Sequence, residues 1–545
     1  MRGVRAIILW LIAGVIHVPA MSMTAVDGVD YGEGMRAGRP DLVVGLVIDR
    51  MRYDYVERMW DRFGEDGLKR LFSGGASFSN ARYSHLVNQS ASGYATISTG
   101  SDPSAHGIIA DHWYDRLRDG IQNSVYDEKR SAVGGTYAKG QRSPHMLVSA
   151  TIGDQLRMST DFKSRVFTVS MNDAAAVLSG GFSANSAWWF DDISGSWMTS
   201  TFYIDSLPSW VRDFNNGMLP ETYLERVWEP ARDWALYTGA GEDGRNEPFR
   251  YDLRRMRRRG DDYRLLRSTP FGNTFTLDFA RNLMVNEGLG RRGGTDMLII
   301  GFSSTGEIDR YYGTFSKELQ DAYIRLDRDI AYLLKFLDDY YGMSNVLVFM
   351  TSDSGAGYPE NYNRRARLPS GTFSPGMAMA LLRSYLNVTY GTGEWVQAYN
   401  AGMVYLNHDL IYRNNIPIDE IQHMSARFLG QISGVAGAVS EGVISRNNFT
   451  SGMNYGVQAG FYPPRSGDVM IYFQPGWHER NVAGDRLELV YYDRHVPLVF
   501  FGWNVQPVVI NRRVSIADIA PTISLMLNIP KAASVTGQPV LEIVR

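Results

Sequence analysis

Four polar residues stand where their types and spacing could do chemistry. Asp49 and Asp353 each close a continuous apolar run, and Ser90 lies at the start of a Ser/Thr-rich segment that predicts a helix. His495 comes late in the chain, in an Asp-x-His triplet that begins at Asp493. Carboxylates can bind cations, and a serine hydroxyl can act as a nucleophile, although a hydroxyl at a helix start is also a common N-cap. The order of these residues is the first indication of function.

The segments that carry the two carboxylates have the pattern of strands buried on both faces of a parallel sheet. They are residues 41–49 and 345–353, and residues 295–303 repeat the same apolar design. Residues 316–341 carry apolar side chains at helical spacing, which predicts a long crossover helix between two of these strands. Because ligand sites in parallel α/β sheets lie beyond the carboxyl ends of the strands, Asp49 and Asp353 are expected at one edge.

The composition excludes several functional classes. Of 545 residues, 44% are hydrophobic and 21% are charged, which is typical of a globular protein with a sizeable core. The formal net charge of -3 gives no general attraction to nucleic acid or to an anionic membrane, so no nucleic-acid partner is expected. The chain contains no cysteine, which excludes disulfides, thiolate metal sites and a catalytic thiol.

The first residues have the pattern of a secretory signal. A charged start precedes the apolar run 6–18, which ends in small residues at Val18-Pro19-Ala20. Residues 1–22 are therefore assigned to a signal peptide. The run is shorter than the roughly 20 apolar residues that a membrane-spanning helix needs, and no later segment qualifies. The pattern predicts a secreted or periplasmic protein without a membrane span.

Two stretches interrupt the alternation of strands and helices within the α/β domain, which is expected to cover residues 40–545. They are roughly residues 111–267 and 358–477, and both are interpreted as insertions that form a cap region. A strand is nevertheless expected at 165–171, inside the first stretch. The basic run 254–259 is followed at once by two aspartates, which favours a solvated helix face over a phosphate or nucleic-acid patch.

Taken in order, these landmarks resemble the alkaline phosphatase superfamily, in particular the periplasmic phosphate-irrepressible phosphatases and the type I phosphodiesterase/nucleotide pyrophosphatases. The motifs that carry the resemblance are Asp49-Arg50-Met51-Arg52-Tyr53-Asp54, Ala91-Ser92-Gly93, Ser98-Thr99-Gly100, His106-Gly107-Ile108, Ser303-Ser304-Thr305, Asp493-Arg494-His495-Val496-Pro497 and Ile516-Ala517-Asp518-Ile519-Ala520-Pro521-Thr522. The resemblance covers nearly the whole chain after the signal. It implies an α/β fold with a central, mostly parallel sheet flanked by helices.

The resemblance also implies a pair of zinc ions, whose ligand positions are only half filled in this chain. One zinc site would draw on Asp49, Asp353 and the residue after Asp353, where the family has histidine and this chain has Ser354. The other would draw on His495 and two further positions, both changed. Three of six ligand positions, Asp49, Asp353 and His495, are therefore expected to remain as remnants of the site.

The two changed positions of the second zinc site are Gly306 and Arg310, which replace an aspartate and a histidine of the family. Arginine stays protonated at physiological pH and repels a divalent cation. We hypothesise that Arg310 replaces the missing metal charge by pairing with Asp353 or Asp49. In an alternative interpretation, Glu307 and Asp309 would rebuild a single metal site together with His495.

The positions that would act on phosphate have changed as well. The family's nucleophile falls on Ser90, interpreted here as vestigial, and the one histidine nearby in sequence is His85. The family's phosphate-binding asparagine falls on Asp111, whose carboxylate would repel a phosphate dianion. The lysine and arginine of the monoesterase clamp are absent from the stretch that begins at Asn172. Each lost donor costs on the order of 3 kcal/mol of transition-state stabilisation.

These observations predict an exported member of the superfamily that is inactive or weakly active and needs no cofactor. A phosphoester or another small anion is the expected ligand, and the sequence identifies no protein partner. The alternative is a working metal-dependent phosphomonoesterase or phosphodiesterase with Ser90 as nucleophile and zinc as cofactor. A structural role beside an active paralogue also stays open.

Overall fold

A computed structural model describes residues 38–238, 247–257, 263–358, 360–480, 486–487, 489 and 494–544. The predicted signal peptide, residues 1–22, lies outside these ranges, as does the end of the basic run 254–259. Within them, no helix combines the length and the apolar character that crossing a membrane requires.

The strands are short, and their bounds follow in chain order. They are β1 (Leu42–Ile48), β2 (Ala76–Phe78), β3 (Ala81–Arg82), β4 (His112–Asp115), β5 (Gly120–Asn123), β6 (Ala132–Val133), β7 (Val166–Ser170), β8 (Ser186–Asp191), β9 (Ser196–Ser200), β10 (Val227–Trp228), β11 (Tyr251–Asp252), β12 (Asp296–Phe302), β13 (Val346–Thr351), β14 (Gly371–Phe373), β15 (Val396–Asn400), β16 (Met403–Leu406), β17 (Val435–Ser440), β18 (Val469–Phe473), β19 (Trp477–Arg480), β20 (Arg486–Leu487), β21 (Leu498–Gly502), β22 (Val508–Ile510) and β23 (Val514–Ser515).

The helices range from one turn to a long crossover helix of 25 residues. They are α1 (Tyr53–Arg58), α2 (Leu68–Gly74), α3 (Ser90–Thr99), α4 (Pro103–His106), α5 (Tyr137–Gly140), α6 (Ile152–Ser159), α7 (Asp173–Gly180), α8 (Ser209–Asn216), α9 (Leu219–Leu224), α10 (Leu253–Met256), α11 (Arg264–Arg267), α12 (Phe271–Glu287), α13 (Ser304–Tyr312), α14 (Lys317–Tyr341), α15 (Glu360–Arg365), α16 (Pro375–Tyr390), α17 (His408–Arg413), α18 (Ile418–Leu429), α19 (Glu441–Arg446), α20 (Gly452–Gly460) and α21 (Ile519–Met526).

A ten-stranded sheet in the order β22-β2-β21-β13-β1-β12-β7-β8-β9-β6 forms the centre of the fold. Its middle five strands, from β13 to β8, run parallel. Strand β21 pairs antiparallel with β13, and β9 pairs antiparallel with β8. The predicted α/β fold with a mostly parallel sheet is confirmed, and β1, β12, β13 and α14 lie where the apolar patterns predicted them.

Both faces of the sheet are buried, which explains the unbroken apolar runs. Along β1, Leu42, Val44 and Leu46 belong to one hydrophobic core, and Val43 and Val47 belong to the core on the other face. Alternate side chains of a strand point to opposite faces, so a strand between two cores needs apolar residues throughout.

Residues 111–267 are not one insertion outside the main sheet, as the sequence pattern predicted. This stretch contributes β6, β7, β8 and β9, which complete one side of the main sheet. The aromatic residues Trp188, Trp189 and Phe190 lie in β8, where every residue is buried. A short strand that is buried on both faces has no polar alternation to mark it, so the sequence pattern alone does not separate it from a buried loop.

Residues 358–477 contribute to sheets that are separate from the main one. Strands β15, β16, β18 and β17 form a four-stranded antiparallel sheet, and β14 and β19 belong to a three-stranded sheet. The four-stranded sheet shares one hydrophobic core with residues of α3 and α7. The β4–β5 hairpin also contacts it, through a hydrogen bond from the Asn400 side chain to the carbonyl of His112. The insertion is thus anchored on the helix that begins at Ser90.

Candidate active site

Asp49 and Asp353 meet at the carboxyl edge of the sheet. Asp49 follows β1 directly and Asp353 comes two residues after β13, and these two strands are parallel neighbours. Both carboxylates are buried. The Ser90 hydroxyl donates to Asp353 Oδ2 at 2.6 Å, and the Tyr94 hydroxyl donates to Asp49 Oδ1 at 2.6 Å. Three residues that the sequence singled out therefore converge, with a tyrosine that it did not.

Helix α3 can place Ser90 here because Gly93 lets it approach the loop after β13. A Cβ atom on Gly93 would lie 1.9 Å from the carbonyl oxygen of Asp353, so only glycine fits. The helix begins with a capping box between Gln89 and Ser92. Consequently, the Ser-Gly pair in this segment serves the packing of α3 against Asp353.

The pair of carboxylates is electrostatically costly. Burial, and next the charge of Asp353, raise the pKa of Asp49 well above its usual range. Burial also raises the pKa of Asp353, although the hydrogen bond from Ser90 counteracts the rise. The hydroxyl of Ser354, for which the resemblance implies histidine, donates to Asp353 Oδ1 at 3.0 Å and also stabilises this carboxylate. Each of these contacts favours the charged form of Asp353.

Gly306 packs directly against Asp49. Gly306 lies in the first turns of α13, and a Cβ atom at this position would lie 3.0 Å from the Cβ of Asp49 and 3.6 Å from the Cδ of Arg50. The glycine thus leaves room for the aliphatic part of the Arg50 side chain. The position at which the resemblance implies a metal-binding aspartate is here part of a close-packed contact.

Arg310 does not form the direct ion pair with Asp353 or Asp49 that the sequence hypothesis proposed. Its Nη1 contacts Glu307 Oε1 at 3.1 Å on the same helix, and about a third of the side chain is exposed (31%). Its charge nevertheless lowers the pKa of both aspartates, against the larger effect of burial. Arg310 therefore lowers the pKa of the two aspartates through its charge and also forms an ion pair with Glu307.

Arg50 is the functional residue that the sequence reasoning missed. Its Nε donates to Asp309 Oδ2 at 2.6 Å, and both side chains are largely buried (15% and 3% exposed). Its backbone N–H donates to Asp353 Oδ1 at 2.8 Å. Arg50 has a left-handed backbone with a φ of 57°, which is uncommon for a residue with a side chain. The signal available in the sequence was a cation directly after a strand-end carboxylate.

Among the described residues, the His495 side chain contacts Ser79 and Tyr53 and makes no hydrogen bond with Asp49 or Asp353. Its Nε2 donates to the carbonyl oxygen of Ser79 at 2.9 Å, and its ring stacks on Tyr53 with centroids 4.5 Å apart. Burial and then the nearby Arg82 lower its pKa, which favours the neutral ring. In the described ranges, no three His, Asp or Glu side chains converge as metal ligands. The three predicted remnant ligands are thus not brought together.

Asp111 and Asn172 both lie at helix N-termini. Asp111 Oδ1 accepts the N–H of Ala91 at 2.7 Å, and the Asp111 N–H donates to the side chain of Gln89 at 2.9 Å. Asn172 Oδ1 accepts the N–H of Ala174 at 2.9 Å in the first turn of α7. Backbone N–H groups at a helix N-terminus are the usual anion donors. In α3 the donor next to Ser90 is already bound to an internal carboxylate.

Cations from distant segments approach the ends of β7 and β8, although the stretch that begins at Asn172 lacks the lysine and arginine that the resemblance implies. Arg142 contacts Asp173 at 2.6 Å, and Lys139 and Arg267 contact Asp192 at 3.1 and 3.2 Å. Burial alone would raise the pKa of Asp173, but Arg142 and the neighbouring cations hold it below its usual value. Each of these cations contacts a carboxylate, and Lys139 and Arg267 share that of Asp192.

His85 does not act on Ser90 through a hydrogen bond. It is buried, its Nδ1 lies 3.6 Å from Asp102 Oδ1, and burial lowers its pKa. The Ser90 hydroxyl instead donates to Asp353. The sequence placed His85 near Ser90 only because the two are close along the chain.

The residues at this edge do not fit a pair of divalent metal ions. Such a centre needs several anionic or neutral ligands around each ion. Here Arg50 binds Asp309, Arg310 acts on both aspartates, and Gly306 supplies no ligand. Two permanent cations next to these carboxylates would repel a pair of divalent ions.

Comparisons with known proteins agree with the geometry of the fold. Residues 43–491 match the family model described as type I phosphodiesterase / nucleotide pyrophosphatase. The chain is 33% identical to alkaline phosphatase PhoV of Synechococcus elongatus, with 93% of each chain covered. It is also 33% identical to alkaline phosphatase PafA of Elizabethkingia meningoseptica, over 93% of this chain and 95% of PafA. The crystal structure of wild-type PafA superposes with a TM-score of 0.86 at 32% identity, covering 94% of this chain and 100% of that one.

Proposed function

The chain belongs to the type I phosphodiesterase/nucleotide pyrophosphatase family and thus to the alkaline phosphatase superfamily, and from this premise we propose that it is a non-hydrolytic member that binds a small anionic ligand or a partner. Its phosphoesterase scaffold is intact, whereas the groups that would do the chemistry are engaged with one another. We also propose that residues 1–22 direct its export to the periplasm or the medium.

The observation that carries the proposal is the contact between Arg50 and Asp309. The two charged groups are 2.6 Å apart and largely buried, so neither charge is screened by bulk water. A guanidinium group stays protonated and cannot ligate a metal. Because Arg50 also reaches Asp353 through its backbone N–H, the cation is fixed on the carboxylate cluster.

The state of Ser90 supports the same proposal. Its hydroxyl donates to a carboxylate whose own pKa is raised by burial. A serine hydroxyl becomes a good nucleophile when a base or a metal lowers its pKa. His85 makes no contact with Ser90 that would provide this base, and the N–H of Ala91 is bound to Asp111. The backbone donor next to Ser90 is therefore occupied.

The second candidate function is a working metal-dependent phosphoesterase with Ser90 as the nucleophile. It is favoured by one observation, the convergence of Asp49, Asp353 and Ser90 at the carboxyl edge. A phosphodiesterase would also be less affected by the lost lysine and arginine clamp. This candidate requires a metal set that tolerates Arg50 and Arg310.

One preparation of the mature protein separates the two candidates. Bound zinc and the turnover of p-nitrophenyl phosphate and bis-p-nitrophenyl phosphate are measured in the same sample, with Ser90→Ala as the matched variant and PafA as the positive control. We expect no stoichiometric zinc and the same background turnover for wild type and Ser90→Ala. Stoichiometric zinc together with turnover that Ser90→Ala abolishes would refute the proposal and establish the second candidate.

A further inference from the structure

We propose that Lys139, Arg142 and Arg267 form a binding site for a small oxyanion of the phosphate type at the carboxyl ends of β7 and β8. The inference rests on the proposed function and deepens it, because it names the place where the small anionic ligand binds. Lys139 lies in α5, Arg142 follows that helix, and Arg267 is the last residue of α11. No sequence motif pointed to these three cations.

The strand order brings the cations together at one edge. Strands β12, β7 and β8 are parallel neighbours in that order. Arg267 contacts Asp192, the residue after β8, at 3.2 Å, and its Nη2 lies 3.9 Å from Glu307 on the helix that follows β12. Its guanidinium group therefore spans the end of β7, where Arg142 contacts Asp173 at 2.6 Å. Neighbouring strands are about 4.8 Å apart, so the two arginines lie close to each other.

The contacts at this edge link more cations than carboxylates. Asp192 is shared by Lys139 at 3.1 Å and Arg267 at 3.2 Å, and Glu307 Oε1 is approached by both Arg267 and Arg310. Among the described residues, this chain of contacts joins three cations to two carboxylates. An anion that binds here balances the remaining positive charge, and water screens partly buried charges less than exposed ones.

Donor groups for an oxyanion remain on both arginines. Among the described residues, Nη2 of Arg142 and both Nε and Nη2 of Arg267 make no hydrogen bond, because the recorded bonds use the other nitrogens. The exposed fractions of the Arg142, Arg267 and Lys139 side chains are 13%, 22% and 31%, so a solute can reach all three. A guanidinium group can donate two parallel hydrogen bonds to the oxygens of a phosphate group.

Asn172 supplies a neutral donor at the same end of β7. Its Oδ1 accepts the backbone N–H groups of Ala174 and Ala175, at 2.9 and 3.3 Å. The oxygen thus caps α7, and the amide Nδ2 points away from the first turn of that helix. Nδ2 makes no hydrogen bond in the described ranges. An asparagine amide next to guanidinium groups adds a directional donor for an oxyanion without adding charge.

The test measures the binding of inorganic phosphate to the mature protein by isothermal titration calorimetry at low ionic strength. Arg267→Gln removes the cation that spans β7, and Asp192→Asn removes the carboxylate that competes with phosphate for Lys139 and Arg267. The matched control is Arg165→Gln, which removes a partly buried arginine that pairs with Glu287 before the start of β7, at the opposite edge of the sheet. The readout does not depend on hydrolysis.

We expect wild type to bind about one phosphate per chain at this site. Arg267→Gln should weaken the binding about tenfold or more, because charge-assisted hydrogen bonds are lost. Asp192→Asn should bind phosphate more tightly than wild type, because Lys139 and Arg267 lose the carboxylate that they share. Arg165→Gln should bind phosphate as wild type does.

Equal phosphate affinity of wild type and Arg267→Gln would overturn the inference, as would a wild type that binds no phosphate or an Asp192→Asn variant that binds it more weakly. If Arg267→Gln does not fold, Lys139→Gln decides, since a loss of affinity supports the site and an unchanged affinity overturns it.

Parallel titration with phenylphosphonate tells free phosphate from the phosphoryl end of a larger ligand by which of the two binds more tightly. Either order supports the site when the variants rank as expected. Bound zinc together with Ser90-dependent turnover would refute the proposed function through a separate measurement.

Discussion

Replacing Ser90 by alanine should destabilise the protein by about 1.5–3 kcal/mol, the usual contribution of a hydrogen bond to a charged group. The Ser90 hydroxyl is the only recorded donor to Asp353 Oδ2 among the described residues, at 2.6 Å, and both side chains are buried. The variant leaves that oxygen without a donor. For a cooperative unit of about 500 residues, this corresponds to a fall in Tm of about 1–3 °C.

The pH dependence of this loss has a definite sign. Burial raises the pKa of Asp353, and Ser90 lowers it again, so the variant should raise this pKa further. A carboxyl group whose pKa is higher in the folded state than in the unfolded state contributes stability at low pH that is lost as the pH rises. The Ser90→Ala loss should therefore be larger at neutral pH and shrink as the pH falls towards about 4.

Thermal and urea unfolding measure the effect, and Ser98→Ala provides the matched control. Ser98 lies in the same helix α3, and its buried hydroxyl has no hydrogen-bond partner among the described residues. Its replacement should change the stability by little. If Ser90→Ala costs no more than Ser98→Ala, the hydrogen bond to Asp353 does not stabilise the fold and the reasoning is refuted.

Asp49→Asn should be more stable than wild type, and the difference should grow as the pH rises above about 4. The reason is that burial and the charge of Asp353 raise the pKa of Asp49, so the charged form of wild type is destabilised. Curves of Tm against pH that run parallel for the two proteins would contradict this. Asp111→Ala should lose about 1 kcal/mol by urea unfolding, since α3 loses the carboxylate that binds its first turn, whereas Asp111→Asn should lose less because the amide oxygen still accepts. Gly306→Ala should cost about 1–3 kcal/mol from the close contact with Asp49. Gly376→Ala, where a Cβ atom meets nothing within 4 Å, should be neutral or stabilising, and equal effects at both glycines would exclude the packing explanation.

Restoring the family's metal ligands will need more than the three replaced positions. Histidine at 354 and 310 with aspartate at 306 would still face the Arg50 side chain, which fills the space next to Gly306. We therefore expect metal binding in such a variant only when Arg50 is also replaced by a neutral residue. Zinc content with and without Arg50→Gln is the measurement, and stoichiometric zinc while Arg50 is present would contradict this.

The sequence by itself determined the scaffold. The apolar runs that end at Asp49 and Asp353 predicted buried strands of a parallel sheet, because only strands covered on both faces need apolar residues at every position. The helical spacing of residues 316–341 predicted the crossover helix, found as α14. Ordered motifs along nearly the whole chain identified the superfamily, which the comparisons confirmed. The strands β6, β8 and β9 escaped prediction because they are short and lack polar alternation.

Only the tertiary structure decided how the charges of the site are paired. Spacing along the chain suggested Arg310 as the cation and His495 as a remaining ligand, yet Arg310 pairs with Glu307 and His495 binds the carbonyl of Ser79. Instead, the Arg50 side chain binds Asp309, because the turn after β1 and the missing side chain at Gly306 leave room for it there. Residue type fixes which groups can be charged, but the partner of each charge depends on side-chain direction and on distances between segments far apart in sequence.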